Sequence, residues 1–230
     1  MSLRAILFDA GNTLLFLDYP RLAPAVASAT GVALTADLLA EKGDEAAALL
    51  ERTDGTDKER ASRYLETLFR LAGVPAEHNE RVRETLLELH RERHLWGGTH
   101  PETGRALGEL RAAGYRLGVV SNSDGRAEEA LVALGLRDHF ELVVDSQLVG
   151  VEKPDPRIFA VALERMGLAP SEALYVGDIY EVDVVGARRA GLDVILVDPR
   201  GRHRGRDVRT APTVAGVAAL LLGDGDLPAG

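Results

Sequence analysis

The 230-residue chain contains no cysteine, so it is not a disulfide-stapled scaffold, and the absence fits a reducing compartment. It has no run of roughly 18 uncharged apolar residues of the kind that spans a bilayer. Met1 to Phe8 reaches Asp9 too soon for a secretory leader, so a cytoplasmic location is expected, with no membrane partner. Positive charge is in deficit: 27 Lys and Arg against 36 Asp and Glu give a net charge of -9. Broad electrostatic attraction to nucleic acid or anionic lipid is therefore not its main business, and an anionic substrate needs a local positive site. Lysine itself is scarce, since Lys42, Lys58 and Lys153 stand against 24 arginines. There is no Gly-x-Gly-x-x-Gly, no Walker-type lysine, no internal repeat and no low-complexity tract.

What is present is an ordinary globular composition, 46% hydrophobic and 27% charged. Short apolar runs at Leu3 to Phe8, Leu117 to Val120, Leu142 to Val144, Leu174 to Val176 and Val194 to Val197 have the length of buried strands. Helical patterns lie between them at Glu102 to Ala113, Ala127 to Leu134, Pro156 to Met166 and Val182 to Ala190. Strands alternating with helices predict an α/β fold with a doubly wound, mostly parallel sheet. Residues 17–97 differ. Helical periodicity runs through Leu22 to Ala29, Ala36 to Thr53, Lys58 to Ala72 and Ala76 to Leu95, which predicts an inserted helical bundle within a core made of 1–16 and 98–230. Phe16 to Pro20 and Trp96 to Pro101 read as the two links, and Gly223 to Gly230 as a frayed tail.

Ligands of such sheets sit at the carboxyl ends of the strands, where four polar clusters follow the apolar runs. They are Asp9-Ala-Gly-Asn-Thr13, Ser121-Asn-Ser-Asp-Gly125, Gly150-Val-Glu-Lys-Pro-Asp155 and Gly177-Asp-Ile-Tyr-Glu-Val-Asp183. Each alone is an ordinary cap, turn or helix start. In this order they offer a carboxylate nucleophile, a hydroxyl and N–H donors for phosphoryl oxygens, a lysine to balance charge, and carboxylates for a hard cation.

The four clusters resemble the haloacid dehalogenase-like (HAD) superfamily in order and position, over essentially the whole core, and the helical insert resembles that family's cap, which closes over the site and selects substrate. The resemblance implies a Rossmann-like core and a Mg²⁺-dependent phosphatase acting on a small phosphorylated metabolite. It implies Asp9 as the nucleophile that becomes an aspartyl-phosphate, Ser121 with the Asn122 backbone N–H as phosphate ligands, and Lys153 as the charge balance. It further implies that Asp9, the backbone carbonyl of Gly11, Asp178 and, to a lesser degree, Asp183 hold Mg²⁺. Monomer and dimer both stay open.

One position departs from the family's phosphatases: Gly11 stands where they carry a second Asp that serves as general acid and base. Losing such a group costs roughly 10² to 10⁴ in rate. Asp18, Asp124 and Glu152 are conceivable replacements, each equally an ordinary surface carboxylate. A non-catalytic or very slow ligand-binding protein, a 2-haloacid dehalogenase and a phosphonatase are the alternatives. Asp178, a metal ligand, argues against the dehalogenase, and the phosphonatase needs a Schiff-base lysine, for which Lys42 and Lys58 read instead as solvated. His90 and His94, with His100 nearby, lack a third zinc ligand and read as surface or hinge histidines. Arg200, Arg202, Arg204, Arg206 and Arg209 lack interleaved aromatics and read as a solvated loop.

Overall fold

The computed structural model describes residues 2–50 and 55–223. By its contacts the chain forms two compact units, one ending at Phe16 and resuming at Thr99, the other covering Leu17–Gly98. The expected tail from 224 onward and the end of the second expected insert helix, 51–53, fall outside the described residues.

The first unit is built on six parallel strands: β1 (Ala5–Phe8), β2 (Arg116–Ser121), β3 (Leu142–Asp145), β4 (Ala173–Gly177), β5 (Asp193–Val197) and β6 (Arg209–Ala211), in the order β3-β2-β1-β4-β5-β6. The chain winds outward from β1 to β3 and then crosses to β4 on the other side. The reversal lies at β1, which is where a doubly wound sheet opens a crevice at its carboxyl edge. Strands buried on both faces carry continuous apolar runs, and β1 and β4 are buried at every residue. Phe8 is level with Val119 and with Val176, so the residues that follow β1, β2 and β4 emerge side by side.

The second unit is helical: α1 (Tyr19–Thr30), α2 (Ala36–Leu50), α3 (Asp57–Leu71) and α4 (Asn79–Glu92). Leu22, Val26, Leu39, Leu68, Phe69 and Leu86 form its own core. Gly31, at φ 73°, ends α1 in the left-handed cap that glycine adopts without strain. Among the described residues no helix is long and apolar enough to cross a membrane.

The remaining helices cover the sheet: α5 (Thr103–Ala112), α6 (Ala127–Ala133), α7 (Ser146–Val149), α8 (Pro156–Met166), α9 (Val185–Arg189) and α10 (Val214–Leu222). Three departures from the sequence expectation concern this unit. The helix expected over Val182 to Ala190 begins instead as a π-helical turn, Tyr180–Val184, and only then becomes α9. Its cause is Asp183, whose Oδ2 accepts the N–H groups of Asp178 (3.0 Å) and Ile179 (2.9 Å) and so holds the turn open over the end of β4. β6 carries no apolar run, because only Ala211 of its three residues is buried. Helix α7 is a single turn capped by Asp145, too short for periodicity to reveal.

Two glycines are dictated by close approach. A Cβ on Gly177 would collide with the Asp183 carboxylate, and one on Gly186 would lie 3.0 Å from both Pro154 Cα and Phe159 Cε2. Helix α9 thus packs directly on the backbone beside Lys153. Gly186→Ala is expected to lower stability by about 1–3 kcal/mol through overpacking, measurable as a shift of the urea midpoint at unchanged slope.

Candidate active site

Asp9 leaves β1 with its N–H bonded to the Val176 carbonyl at 2.7 Å, which places its side chain at the sheet's carboxyl edge. The turn that follows folds back on itself. Leu14 and Leu15 both donate to the Ala10 carbonyl (2.9 and 2.8 Å), Asn12 donates to the Leu15 carbonyl (2.7 Å), and Thr99 Oγ1 ties the Leu14 carbonyl to the returning chain (2.8 Å). Asn12 takes φ 52°, a left-handed conformation that Asn tolerates better than most side chains.

Lys153 reaches the same point from the loop after α7. Its ammonium is 2% exposed and donates to Asp9 Oδ1 (2.6 Å), Asp183 Oδ1 (2.8 Å) and Tyr175 Oη (2.9 Å). The Asn122 side chain fixes the Lys153 backbone, accepting its N–H at 2.7 Å and donating to its carbonyl at 3.0 Å. The side chain of Asn122 is therefore a clip between the end of β2 and the loop after α7, a use that the sequence did not suggest. Ser121 is buried at the end of β2, and its hydroxyl makes a long 3.3 Å bond to the next carbonyl.

Carboxylate oxygens of Asp9, Asp178 and Asp183 lie within 4.8 Å of one another. One ammonium faces three carboxyl groups, and the imbalance appears in their proton affinities. Burial pushes Asp9 up to about 7, with Lys153 opposing and Asp183 reinforcing the shift. Asp178 is held well above the usual carboxylate range by burial and by the charges of Asp9 and Asp183. Burial pulls the Lys153 ammonium down, but Asp183 and Asp9 outweigh it and raise it well above its ordinary value. A hard divalent cation among all-oxygen donors would relieve the crowding, so the residues fit one. Both Asp183 oxygens are already engaged, Oδ1 by the Lys153 ammonium and Oδ2 by two backbone N–H groups.

Two buried residues that support the site went unnoticed in the sequence, although they follow an apolar run as the others do. Asp145 accepts the N–H groups of Gly125 (3.1 Å), Ala127 (3.2 Å) and Gln147 (3.0 Å), and Ser146 Oγ both accepts from and donates to the Ser123 backbone at 3.1 Å. Together they hold the loop after β2. A further supporting residue, Tyr175, lies inside an apolar strand, where no strand-end position marks it.

Asp18 caps α1 through the Arg21 N–H (3.3 Å) and pairs with Arg93 at 2.6 Å, while Asp124 and Glu152 are exposed. Lys42 is paired with Glu41 and Glu45, whose hydrogen bonds raise its proton affinity, the opposite of what a Schiff-base amine needs, and Lys58 is exposed. The Nδ1 atoms of His90 and His94 accept the N–H groups of Leu95 (3.4 Å) and Trp96 (3.2 Å). His100 stacks edge-on to Phe16, ring centroids 4.4 Å apart. The arginine loop exposes Arg200, Arg202, Arg204 and Arg206, while buried Asp198 accepts the N–H groups of Arg202 (3.0 Å) and His203 (2.8 Å), and Tyr180 stacks on His203 and under Arg206, whose guanidinium sits 4.3 Å from the ring centroid.

Comparison with known proteins gives the family of the chain. A family model described as a haloacid dehalogenase-like hydrolase matches residues 3–191. Haloacid dehalogenase-like hydrolase domain-containing protein 3 of Mus musculus is 42% identical over 130 residues, 56% of this chain and 51% of that protein, so the chain spans about half the length of this relative. A glyceraldehyde 3-phosphate phosphatase of Methanopyrus kandleri is 32% identical over 214 residues, 90% of this chain and 88% of that protein. Among solved structures, a HAD phosphatase from Thermococcus onnurineus aligns over 96% of this chain and 98% of its own, at 26% identity and TM-score 0.60. An L-2-haloacid dehalogenase from Xanthobacter autotrophicus aligns over 97% and 100% at 20% identity and TM-score 0.59, a likeness of fold alone.

The Asp9 shift has a testable sign. The unfolded carboxyl releases its proton near 3.8 and the folded one near 7, so the stability that this group contributes is full below 3.8 and lost as pH rises to 7. Asp9→Asn removes that dependence. In EDTA, its melting temperature relative to the parent protein is expected to climb between pH 4 and 7 and to level off above, as followed by thermal melts across the range.

Proposed function

The chain belongs to the haloacid dehalogenase-like hydrolase family, and we propose that it is a Mg²⁺-dependent phosphatase of small phosphorylated metabolites with Asp9 as its nucleophile. The observation that carries the reading is the buried ammonium of Lys153 held at 2.6 Å against Asp9, in a cluster with Asp178, at the carboxyl edge beside the reversal of the sheet. Phosphatases among its relatives support the same reaction class.

Asp9 uses its free oxygen to attack phosphorus in line with the leaving oxygen. An aspartyl O–P bond forms as the ester P–O bond breaks, and water then attacks phosphorus, cleaving that bond and releasing phosphate. Lys153 stays beside Asp9 and offsets the charge that gathers on the transferring group, while the Ser121 hydroxyl and the Asn122 N–H bind its oxygens. Asp9, Asp178 and the Gly11 carbonyl would hold Mg²⁺, which when bound supplies charge neutralisation and keeps Asp9 ionised. Asp183, its oxygens already committed, adds charge and anchors the turn that presents Asp178. The helical unit takes the part of the family's cap, and the substrate it selects is a monophosphate ester or acyl phosphate.

Gly11 brings no proton to the departing oxygen, so the leaving group must do without one or draw it from solvent. The same residue favours a second reading, a protein that binds a phosphorylated ligand with little turnover. Phosphate release from acetyl phosphate and p-nitrophenyl phosphate decides between them. Turnover is expected to need Mg²⁺, to vanish in EDTA, and to fall by more than roughly 10³-fold in Asp9→Asn; full activity of Asp9→Asn would sink the assignment. Gly11→Asp is expected to raise turnover of alkyl phosphates by roughly 10- to 10²-fold while changing acetyl phosphate little, and no gain on any ester would favour the binding protein.

A further inference from the structure

We propose that Tyr175 is the positioning residue of Lys153, the neutral third support that keeps its ammonium aimed along Asp9. The inference rests on the reading of Lys153 as the cation that meets the phosphoryl group. An ammonium has three N–H donors and no more. Two go to carboxylates, and the third goes to the phenol oxygen of Tyr175 at 2.9 Å. That oxygen is held in turn. Tyr175 is fully buried, level with Leu7 in the middle of the sheet, with its ring edge-on to Phe159 at a centroid distance of 4.9 Å. Its hydroxyl proton goes to the Val120 carbonyl of β2 at 3.0 Å, with Asp183 Oδ1 at 3.2 Å as the other acceptor, which leaves a lone pair facing Lys153. The side chain thus reaches from β4 past β1 to β2.

The neutrality of the phenol matters. A third carboxylate would hold the ammonium as firmly but would cancel charge needed for the phosphoryl group, whereas a phenylalanine would leave a buried N–H with no acceptor and let the ammonium tilt toward the carboxylates. Tyr175 touches no reacting atom. Its hydroxyl reaches the proposed nucleophile only by way of Lys153.

The test compares Tyr175→Phe with Phe159→Leu, which loosens the packing around Tyr175 but keeps its hydroxyl, in the full chain with Mg²⁺ and acetyl phosphate. Tyr175→Phe is expected to lower kcat about tenfold with KM within about twofold, and Phe159→Leu to lower the melting temperature while keeping kcat. Equal kcat in Tyr175→Phe and the parent protein, or equal losses in both variants, overturns the proposal. A second readout is independent of activity. With only three lysines in the chain, ¹⁵N-lysine labelling and Lys153→Arg identify the Lys153 ammonium, whose slow proton exchange yields a cross-peak in the parent and in Phe159→Leu but not in Tyr175→Phe. If the parent protein releases no phosphate, the phosphatase reading falls while this cross-peak still decides the role of Tyr175; its survival in Tyr175→Phe overturns that role.

Discussion

A lysine ammonium buried at the meeting point of four strand-end segments is the constraint on which the rest of this molecule turns. Removing such a charge from water costs several kcal/mol unless its partners are close and well aimed. Lys153 meets that demand with acceptors drawn from three separate parts of the chain, Asp9, Tyr175 and Asp183. None can shift without exposing a donor, so the register of β1 against β2 and β4 becomes part of the site's chemistry. Gly177 makes room for the Asp183 carboxylate, and Gly186 lets α9 lie against Pro154. These glycines are the steric counterpart of the ion cluster.

The cluster carries more negative than positive charge, and its chemical character follows. Asp9 and Asp178 are both driven toward protonation by burial, with Asp183 reinforcing both shifts and Asp9 reinforcing that of Asp178. On the proposed function, a cation held by these carboxyls would offset their crowding and leave Asp9 ionised for attack. The neighbouring loops are built with the same economy: Asp145 gathers N–H groups to shape the loop after β2, and Asp198 does so for the arginine loop after β5. In both, one buried carboxylate at a strand end replaces the ladder that the backbone has just left.

The parallel sheet, its helical partners and the separate helical unit were legible because apolar runs of strand length and helical periodicity are local signals. Asp9, Ser121, Lys153, Asp178 and Asp183 were legible because they follow those runs in a recognisable order. Tyr175 was not, since an aromatic residue inside an apolar strand looks like core, and it is core except for one oxygen. The π-helical turn was hidden too, because its hydrogen bonds come from Asp183 folding back on Asp178 and Ile179, which helical periodicity does not encode.

The sequence by itself determined which groups the candidate site could draw on, a lysine kept amid arginines, acids after apolar runs and a glycine at position 11, because residue identity and spacing along a strand–helix repeat are one-dimensional facts. Only the tertiary structure decided how those groups divide the work. Whether Asn122 clips a backbone or Asp183 spends its oxygens on the turn depends on which strand ends lie side by side, and that adjacency is set by the crossover of the sheet rather than by distance along the chain.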